Sequence, residues 1–589
     1  MSLVSPSAGP VGGAVPRGSR PRQRLTRPTL GNLLQGGFWL VLVLIILLPC
    51  LAFLVLAVSP RLFDQGSSYF TLHYLGSVFT GQTAIAIGNS LWVSAVASVI
   101  GLAVGFPVAW FTSRTDLPGR SVIAAGMWLV LLLPSWLPSL GWVRLVQLDG
   151  VMYRLGLNLP FVTHAILGPA GVVLVLGIRN APFAFLAIST ALAGMGQEFE
   201  DAARVHGASR LQSIRVVAPI IAPAIWSAVA IGFAEAVSDF GVAATLAYPS
   251  NFHLGTYQLY EAIDNFPPSF PTAASMAWLL VASVGIPLAL QARALRGRSY
   301  AVLSGRSRQI VRRRLSLRGK SFALTGIGLF FLIALGVPAF GAISGSLLAD
   351  YGGSFALSTS NYSAVLHSSA LISPLLRSLL YGVITASITV VLGYMAARRL
   401  TQRRTRATRF LDFLLLAAVA IPSVIFAAGY ILAYNLPILS GIGLNLYQTT
   451  TLLIVAYGAA SLPTNARVLV GVVSQLQSSL QDAARAHGAG AFLAFVRGVL
   501  PLVARPLVFA WLLTFTGVFL ELPISQLLYA PSQPPVSVAI EDNLSNYHFG
   551  IGTAQSVFAV MLALGVVVCA LTVYRLLTPR GWRQVGAAR

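Results

Sequence analysis

Two eight-residue stretches decide how this chain is organised: Asp201-Ala202-Ala203-Arg204-Val205-His206-Gly207-Ala208 and Asp482-Ala483-Ala484-Arg485-Ala486-His487-Gly488-Ala489. Seven of the eight positions are identical. Each has the composition of a short helix of small residues, ended by a glycine that can turn the chain. A basic segment and a proline-led apolar run follow each copy. Small alanines let another protein's surface approach closely, so each stretch reads as a docking loop. A motif that returns once in equivalent surroundings marks a duplicated chain and shows which features both copies need.

Working outward from that pair, further positions fall into register. Ser90-Leu91 matches Ser378-Leu379, and Pro134 followed by Gly141 matches Pro422 followed by Gly429, seven residues apart each time. Pro182 corresponds to Pro463. Between these markers lie continuous apolar runs, each long enough to cross a hydrocarbon core of about 30 Å as a helix. The chain is 56% hydrophobic and only 9% charged, with a mean hydropathy of +0.78, which excludes a water-soluble domain of this length. Because the runs do not alternate, helices rather than barrel strands are expected.

The expected fold is therefore an all-α polytopic membrane protein of about twelve transmembrane helices in two parallel six-helix repeats. The spans are placed at about 37–58, 89–112, 121–143, 168–191, 219–247, 271–291, 321–347, 375–397, 408–433, 449–473, 502–530 and 554–577. Copies of six spans insert the same way up, so a pseudo-twofold axis along the membrane normal can relate them and a pathway can lie between them.

The net charge of +23 reads as topology and not as a nucleic-acid footprint, because the arginines sit in short segments between apolar runs. With both termini in the cytoplasm, the inner loops hold Arg114 and Arg120, Arg204 to Arg215, the block Arg293 to Lys320, Arg398 to Arg409, and Arg485 and Arg497. The outer loops keep few, among them Arg61, Arg144 and Arg154. The expected organisation is a disordered cytoplasmic tail at 1–30, a first six-span half at 31–292, a basic cytoplasmic linker at 293–320, a second six-span half at 321–579 and a cytoplasmic tail at 580–589. Gly319-Lys320-Ser321 spells the end of a phosphate loop, but Arg314 stands where its first glycine is needed, so no nucleotide site is expected.

The repeated loops resemble the EAA loop of ABC-importer permeases: Glu-Ala-Ala, three residues, Gly, then Leu-Pro about thirteen residues on. Gly488 to Pro501 is thirteen residues with Leu500 before the proline; Gly207 to Pro219 is twelve, with Ala218 in the leucine place, and Asp replaces Glu in both copies. Nearly the whole chain resembles the fused two-half permeases of the ferric-iron uptake class, through Glu235-Ala236-Val237-Ser238-Asp239-Phe240-Gly241 and Glu521-Leu522-Pro523. That resemblance implies a type I importer permease in a bacterial inner membrane. It implies two copies of an ABC ATPase docked on Asp201, Ala202, Ala203 and Gly207 and on Asp482, Ala483, Ala484 and Gly488. It also implies a binding protein that delivers substrate to the outer face. Ferric iron is the expected cargo, with thiamine, phosphonate or polyamine as alternatives, and a gradient-driven carrier as the competing class.

Ionisable residues inside spans are costly and point to function, and Arg179, Glu235, Asp239 and Glu521, with Pro523, are the candidates for a gate or pathway. Two roles stay open for the carboxylates: contact with a cation, or capping of broken helices near Gly241 and Pro523 and pairing with Arg179. The outer-face histidines His73, His164, His253, His367 and His548 stand singly, without metal-ligand spacing. Trp39, Trp136 and Trp142 read as interfacial anchors. Cys50 and Cys569 lie in apolar runs, where no disulfide framework is expected. No catalytic constellation or cofactor motif is found, so ATP hydrolysis belongs to the partner and the chain is not expected to be an enzyme.

Overall fold

In lipid, helices gain nothing from hiding apolar surface from one another, so they associate through close packing of small residues and through hydrogen bonds. The computed structural model shows both at work. It describes residues 37–195, 217–295, 312–348, 357–402, 405–419, 421–437, 446–476 and 490–577, with the single positions 205, 207, 441, 483, 486 and 488. Residues from Ile45 onward form one unit; of the other unit, residues 37–44 are described and are helical.

The principal helices of the first half are α1 (Leu48–Leu56), α2 (Gly81–Arg114), α3 (Arg120–Leu132), α4 (Trp136–Val146), α5 (Pro169–Gly194), α6 (Ala222–Ser238), α7 (Gly255–Asp264) and α8 (Phe270–Leu295). The second half repeats them as α9 (Leu317–Phe331) with α10 (Val337–Ser346), then α11 (Ser369–Gln402), α12 (Arg406–Val419), α13 (Ser423–Tyr434), α14 (Thr450–Val473), α15 (Leu500–Phe519), α16 (Pro523–Leu528), α17 (Val536–Ser545) and α18 (Phe549–Leu577). The correspondence is close: α2 and α11 both have 34 residues, α7 and α17 both have 10.

Among the described residues nine helices are long and apolar enough to cross a membrane, and three sharply bent pairs bring the number to twelve. The bent pairs correct the expected continuous spans at 121–143, 219–247 and 408–433. Helix α3 meets the helical stretch Trp136–Arg154, which begins with α4, at 88°, α6 meets the helical stretch Ala243–Ser250 at 54°, and α12 meets α13 at 110°. The expected span 502–530 is also interrupted, at Leu520–Leu522 between α15 and α16. Pro134 and Pro422 account for two of the breaks, since proline forces the preceding residue out of the helical region; Leu133 is extended, with ψ of 127°.

The repeat is visible in single hydrogen bonds. Ser90 Oγ on α2 accepts the N–H of Gly255, the first residue of α7, at 2.8 Å, and Ser378 Oγ on α11 accepts the N–H of Val536, the first residue of α17, at 2.8 Å. Each serine satisfies an N–H that its own helix leaves open. It also appears in how the halves embrace. Helix α1 lies against α13 of the second half, and α10 lies against α4 of the first. At those crossings the Pro49 backbone presses on Gly429 and the Pro338 backbone presses on Gly141, so tightly that a Cβ at either glycine would overlap a proline carbonyl. The sequence repeat Gly141/Gly429 is thus the imprint of two reciprocal helix crossings. Ile327 and Phe330 of α9 complete the exchange by joining Met127, Phe185 and Ile188 in one buried cluster.

The expected linker ends sooner than 320, because α9 begins at Leu317 with Ser316 as its cap, the serine Oγ accepting the Gly319 N–H at 3.2 Å. Its last residues are docked. The Asp116 N–H donates to the Arg313 carbonyl at 2.9 Å, the Leu315 N–H donates to Asp116 Oδ1 at 2.8 Å, and Lys320 Nζ meets Asp116 Oδ2 at 2.7 Å. Lys320 belongs to this tie rather than to any phosphate loop.

Candidate translocation site

The helix breaks converge. Leu131–Trp136 at the α3–α4 break, the end of α6 through Gly241, the α12–α13 break at Ile421–Ser423, and the α15–α16 break at Leu520–Pro523 line one cavity of about 540 Å³. Both halves contribute the same two elements to its wall. All five residues singled out by their charge or position, Arg179, Glu235, Asp239, Glu521 and Pro523, line it.

Their partners differ. Asp239 ends α6; its Oδ1 accepts the Val242 N–H at 2.7 Å, and its Oδ2 lies 3.7 Å from Arg179 Nε. Arg179 reaches across to the break in the other wall element, donating from Nη1 to the Leu133 carbonyl at 2.7 Å. That carbonyl sits just past the end of α3, where helix geometry leaves acceptors open. Glu521 occupies the equivalent place in the second half and pairs with no cation among the described residues. Its Oε1 accepts the Ile524 N–H at 2.9 Å, and its Oε2 accepts the Ser525 N–H at 2.9 Å and the Ser525 hydroxyl at 3.1 Å. With Pro523 at the start of α16, where a missing N–H costs nothing, Glu521 is an N-terminal cap. Of the two roles left open for the carboxylates, the structural one is present: Asp239 both caps and pairs with Arg179, and Glu521 caps alone.

Glu235 is the exception. It sits one turn before Asp239 on α6, is exposed, lines the cavity and makes no hydrogen bond or ion pair with the described residues. Trp136, read from sequence as an interfacial anchor, is instead buried at the cavity wall, and its Nε1–H donates to the Leu520 carbonyl of the other half at 3.0 Å. Arg144 and Arg154, expected in outer loops, are buried, Arg144 within α4 and Arg154 beside Asp149 at 2.7 Å.

Residues 389–583 match the family of binding-protein-dependent transport system inner membrane components. Its second half is a permease domain of that family. The repeat gives the first half the same architecture, so the chain carries two multi-pass halves of the type I permease fold, the second of which matches that family. The permease is similar to an Fe(3+)-transport system permease protein of Haemophilus influenzae, 24% identical over 90% of this chain and 96% of that one. It is also similar to a ferric transport system permease protein of Actinobacillus pleuropneumoniae, 21% identical over 91% of this chain and 78% of the relative. The sulfate transport system permease protein of Salmonella typhimurium matches 43% of this chain at 28% identity, over 88% of its own length.

Of the loop residues expected to dock an ATPase on this permease, Asp201, Ala202, Ala203, Asp482 and Ala484 lie outside the described residues. Ala483 is helical. Gly207 and Gly488 are described, and their backbones agree: φ is +80° in one and +81° in the other. Among the described residues neither has an atom within 4 Å of where a Cβ would sit, and the positive φ is the constraint that favours glycine at both. The role that the sequence does not announce is that of Trp136, two residues after Pro134, whose hydrogen bond to the other half only the fold reveals.

Proposed function

We propose that this permease imports ferric iron, with two copies of a separate ATPase docked on the loops around Gly207 and Gly488 and an extracytoplasmic binding protein delivering the ion to the opposite face. ATP-driven closure of the ATPases would draw the two loops together and rock the halves, opening and closing the cavity that holds Arg179, Glu235, Asp239, Glu521 and Pro523. Both termini and the linker lie on the ATPase side in this reading, in keeping with the basic residues of the loops.

The observation that carries the cargo class is the balance of charge in the cavity: two acidic side chains, Glu235 and Glu521, remain after Arg179 is matched by Asp239 at 3.7 Å. Such a wall favours a cation. An oxyanion of the kind named for the sulfate relative would meet acidic groups with the arginine already engaged. The ferric relatives support iron in particular because they align over both halves.

The test is uptake of labelled ferric iron by cells that lack the chain, complemented with the wild-type gene or with Gly207→Val and Gly488→Val together. Valine at φ near +80° is strained by about 1–2 kcal/mol in each loop. Uptake should return with wild type and stay at background with the double variant, at equal amounts in the membrane. Iron uptake that never depended on the chain would end the cargo reading, and uptake by the double variant at wild-type rate would end the docking reading.

A further inference from the structure

The four ionisable groups of the cavity are not equivalent, and three of them are already occupied. Asp239 holds the Val242 N–H and Arg179. Arg179 holds Asp239 and the Leu133 carbonyl. Glu521 is wrapped by the N–H groups of Ile524 and Ser525 and by the Ser525 hydroxyl. These contacts fix the backbone at the breaks that form the wall, and removing any of the three would orphan a neighbour.

Glu235 orphans nothing. Its helix neighbours Ala234 and Ala236 are small, its carboxylate has no partner among the described residues, and the charges it feels are those of Arg179 and Asp239. A charged group in an apolar helix is costly, and among the described residues no contact offsets the cost; the carboxylate has only the open cavity beside it. The second half offers no counterpart. The repeat that aligns Asp239 with Glu521 aligns Glu235 with Gly517, which also lines the cavity and has no atom within 4 Å of a built Cβ.

We propose that Glu235 is the one cavity side chain that contacts cargo, so that a cation crosses along the wall of the first half while Arg179, Asp239 and Glu521 hold the gate in shape. This deepens the proposed function and rests on its premise that the cargo is a cation. The chemistry fits: a carboxylate free of protein donors can replace a hydration water of a passing cation and release it again, as an occupied one cannot.

The experiment moves the carboxylate across the cavity. In the complete importer, with ferric iron, spermidine and sulfate each offered as cargo, Glu235→Gln should raise the KM for the cation that wild type carries by about tenfold, the loss of one charged contact. Binding-protein-stimulated ATPase activity should persist, showing that the halves still fold and couple. Adding Gly517→Glu to Glu235→Gln should restore KM to within about threefold of wild type, since the open space at Gly517 admits the side chain; adding the neutral Gly517→Gln should not. An unchanged KM in Glu235→Gln, or equal rescue by glutamine and glutamate, overturns the inference while leaving iron as cargo. Wild type that moves spermidine and not iron overturns the iron reading, and the same variants scored on spermidine still decide the role of Glu235. Wild type that moves sulfate alone overturns both.

Discussion

The same corner of the cavity is built twice with different chemistry. In the first half a carboxylate at the end of α6 accepts one backbone N–H and leans on an arginine 3.7 Å away. In the second half a carboxylate at the start of α16 accepts two backbone N–H groups and a hydroxyl, and no cation is near it in the described structure. The backbone problem is common to both, a break within a span after which the next helix begins with N–H groups that lipid cannot satisfy. Duplication preserved the solution to that problem. It left the remaining charges free to diverge, and only the first half acquired Arg179 and Glu235.

Where the halves are alike, substitutions in either should hurt equally, and most at the helix crossings. Gly141→Leu and Gly429→Leu each drive a side chain into a proline carbonyl of the opposite half. Overpacking of this kind costs about 3 kcal/mol or more when backbone is the obstacle. Each variant should lose most of its monodisperse, detergent-soluble yield, and the two losses should match in size-exclusion profiles. A large loss in one with none in the other would show that the crossings are not equivalent.

Where the halves differ, the matched pair should separate. Asp239→Asn keeps an oxygen for the Val242 N–H but strips Arg179 of its counter-charge, with the arginine side chain 23% exposed and the aspartate 6%. Partial access of water moderates the penalty for an unpaired charge to about 1–2 kcal/mol. Glu521→Gln keeps one oxygen for the Ile524 N–H and orphans no cation, so a loss under about 1 kcal/mol is expected. Thermal unfolding in detergent should rank Asp239→Asn below Glu521→Gln; the reverse order would mean that the cap at α16 outweighs the ion pair.

The serine clasps return to likeness at a smaller scale. Ser90→Ala and Ser378→Ala each leave one buried N–H, of Gly255 or Val536, without its 2.8 Å acceptor. A loss of about 1 kcal/mol is expected from each, equal between halves within the precision of a melting curve.

How much of this was written in the sequence follows from the range over which each feature acts. Apolar runs and the repeat are local or self-referential, so the two six-span halves were legible, and so were the four ionisable residues that meet in the cavity, because charge inside an apolar run is conspicuous wherever the fold puts it, with Pro523 marked by its place beside Glu521. Pro134 and Pro422 were read as markers of the repeat, while their effect as breaks was not, since a proline in a transmembrane helix either kinks or ends it according to tertiary partners. Trp136 looked like an anchor at a span end; only the fold brings it to Leu520, 384 residues away, and makes it a clasp between halves. The docked end of the linker was hidden for the same reason, as Asp116 and Lys320 are 204 residues apart.

That tie is also the point at which the halves should differ least in effect and most in kind. No sequence equivalent exists, because Arg404 stands in the place of Asp116 when the second half is aligned on the first. The Lys320 ammonium, followed by the Leu315 N–H, holds the Asp116 carboxyl below the usual carboxylate range. A group whose folded value is depressed contributes stability above its unfolded value and loses it as pH falls through the folded value. The tie should therefore be constant through neutral pH and weaken only under acid conditions, and added salt should weaken it further because the pair is open to water. Asp116→Asn should abolish that acid dependence while changing melting at neutral pH by the least of any variant considered. Measuring melting temperature against pH for wild type and Asp116→Asn decides it: parallel curves through the acid range would show that the link between the halves is carried by the hydrogen bonds of Arg313 and Leu315, which an amide at 116 can keep, and that the charge of Asp116 adds nothing to them.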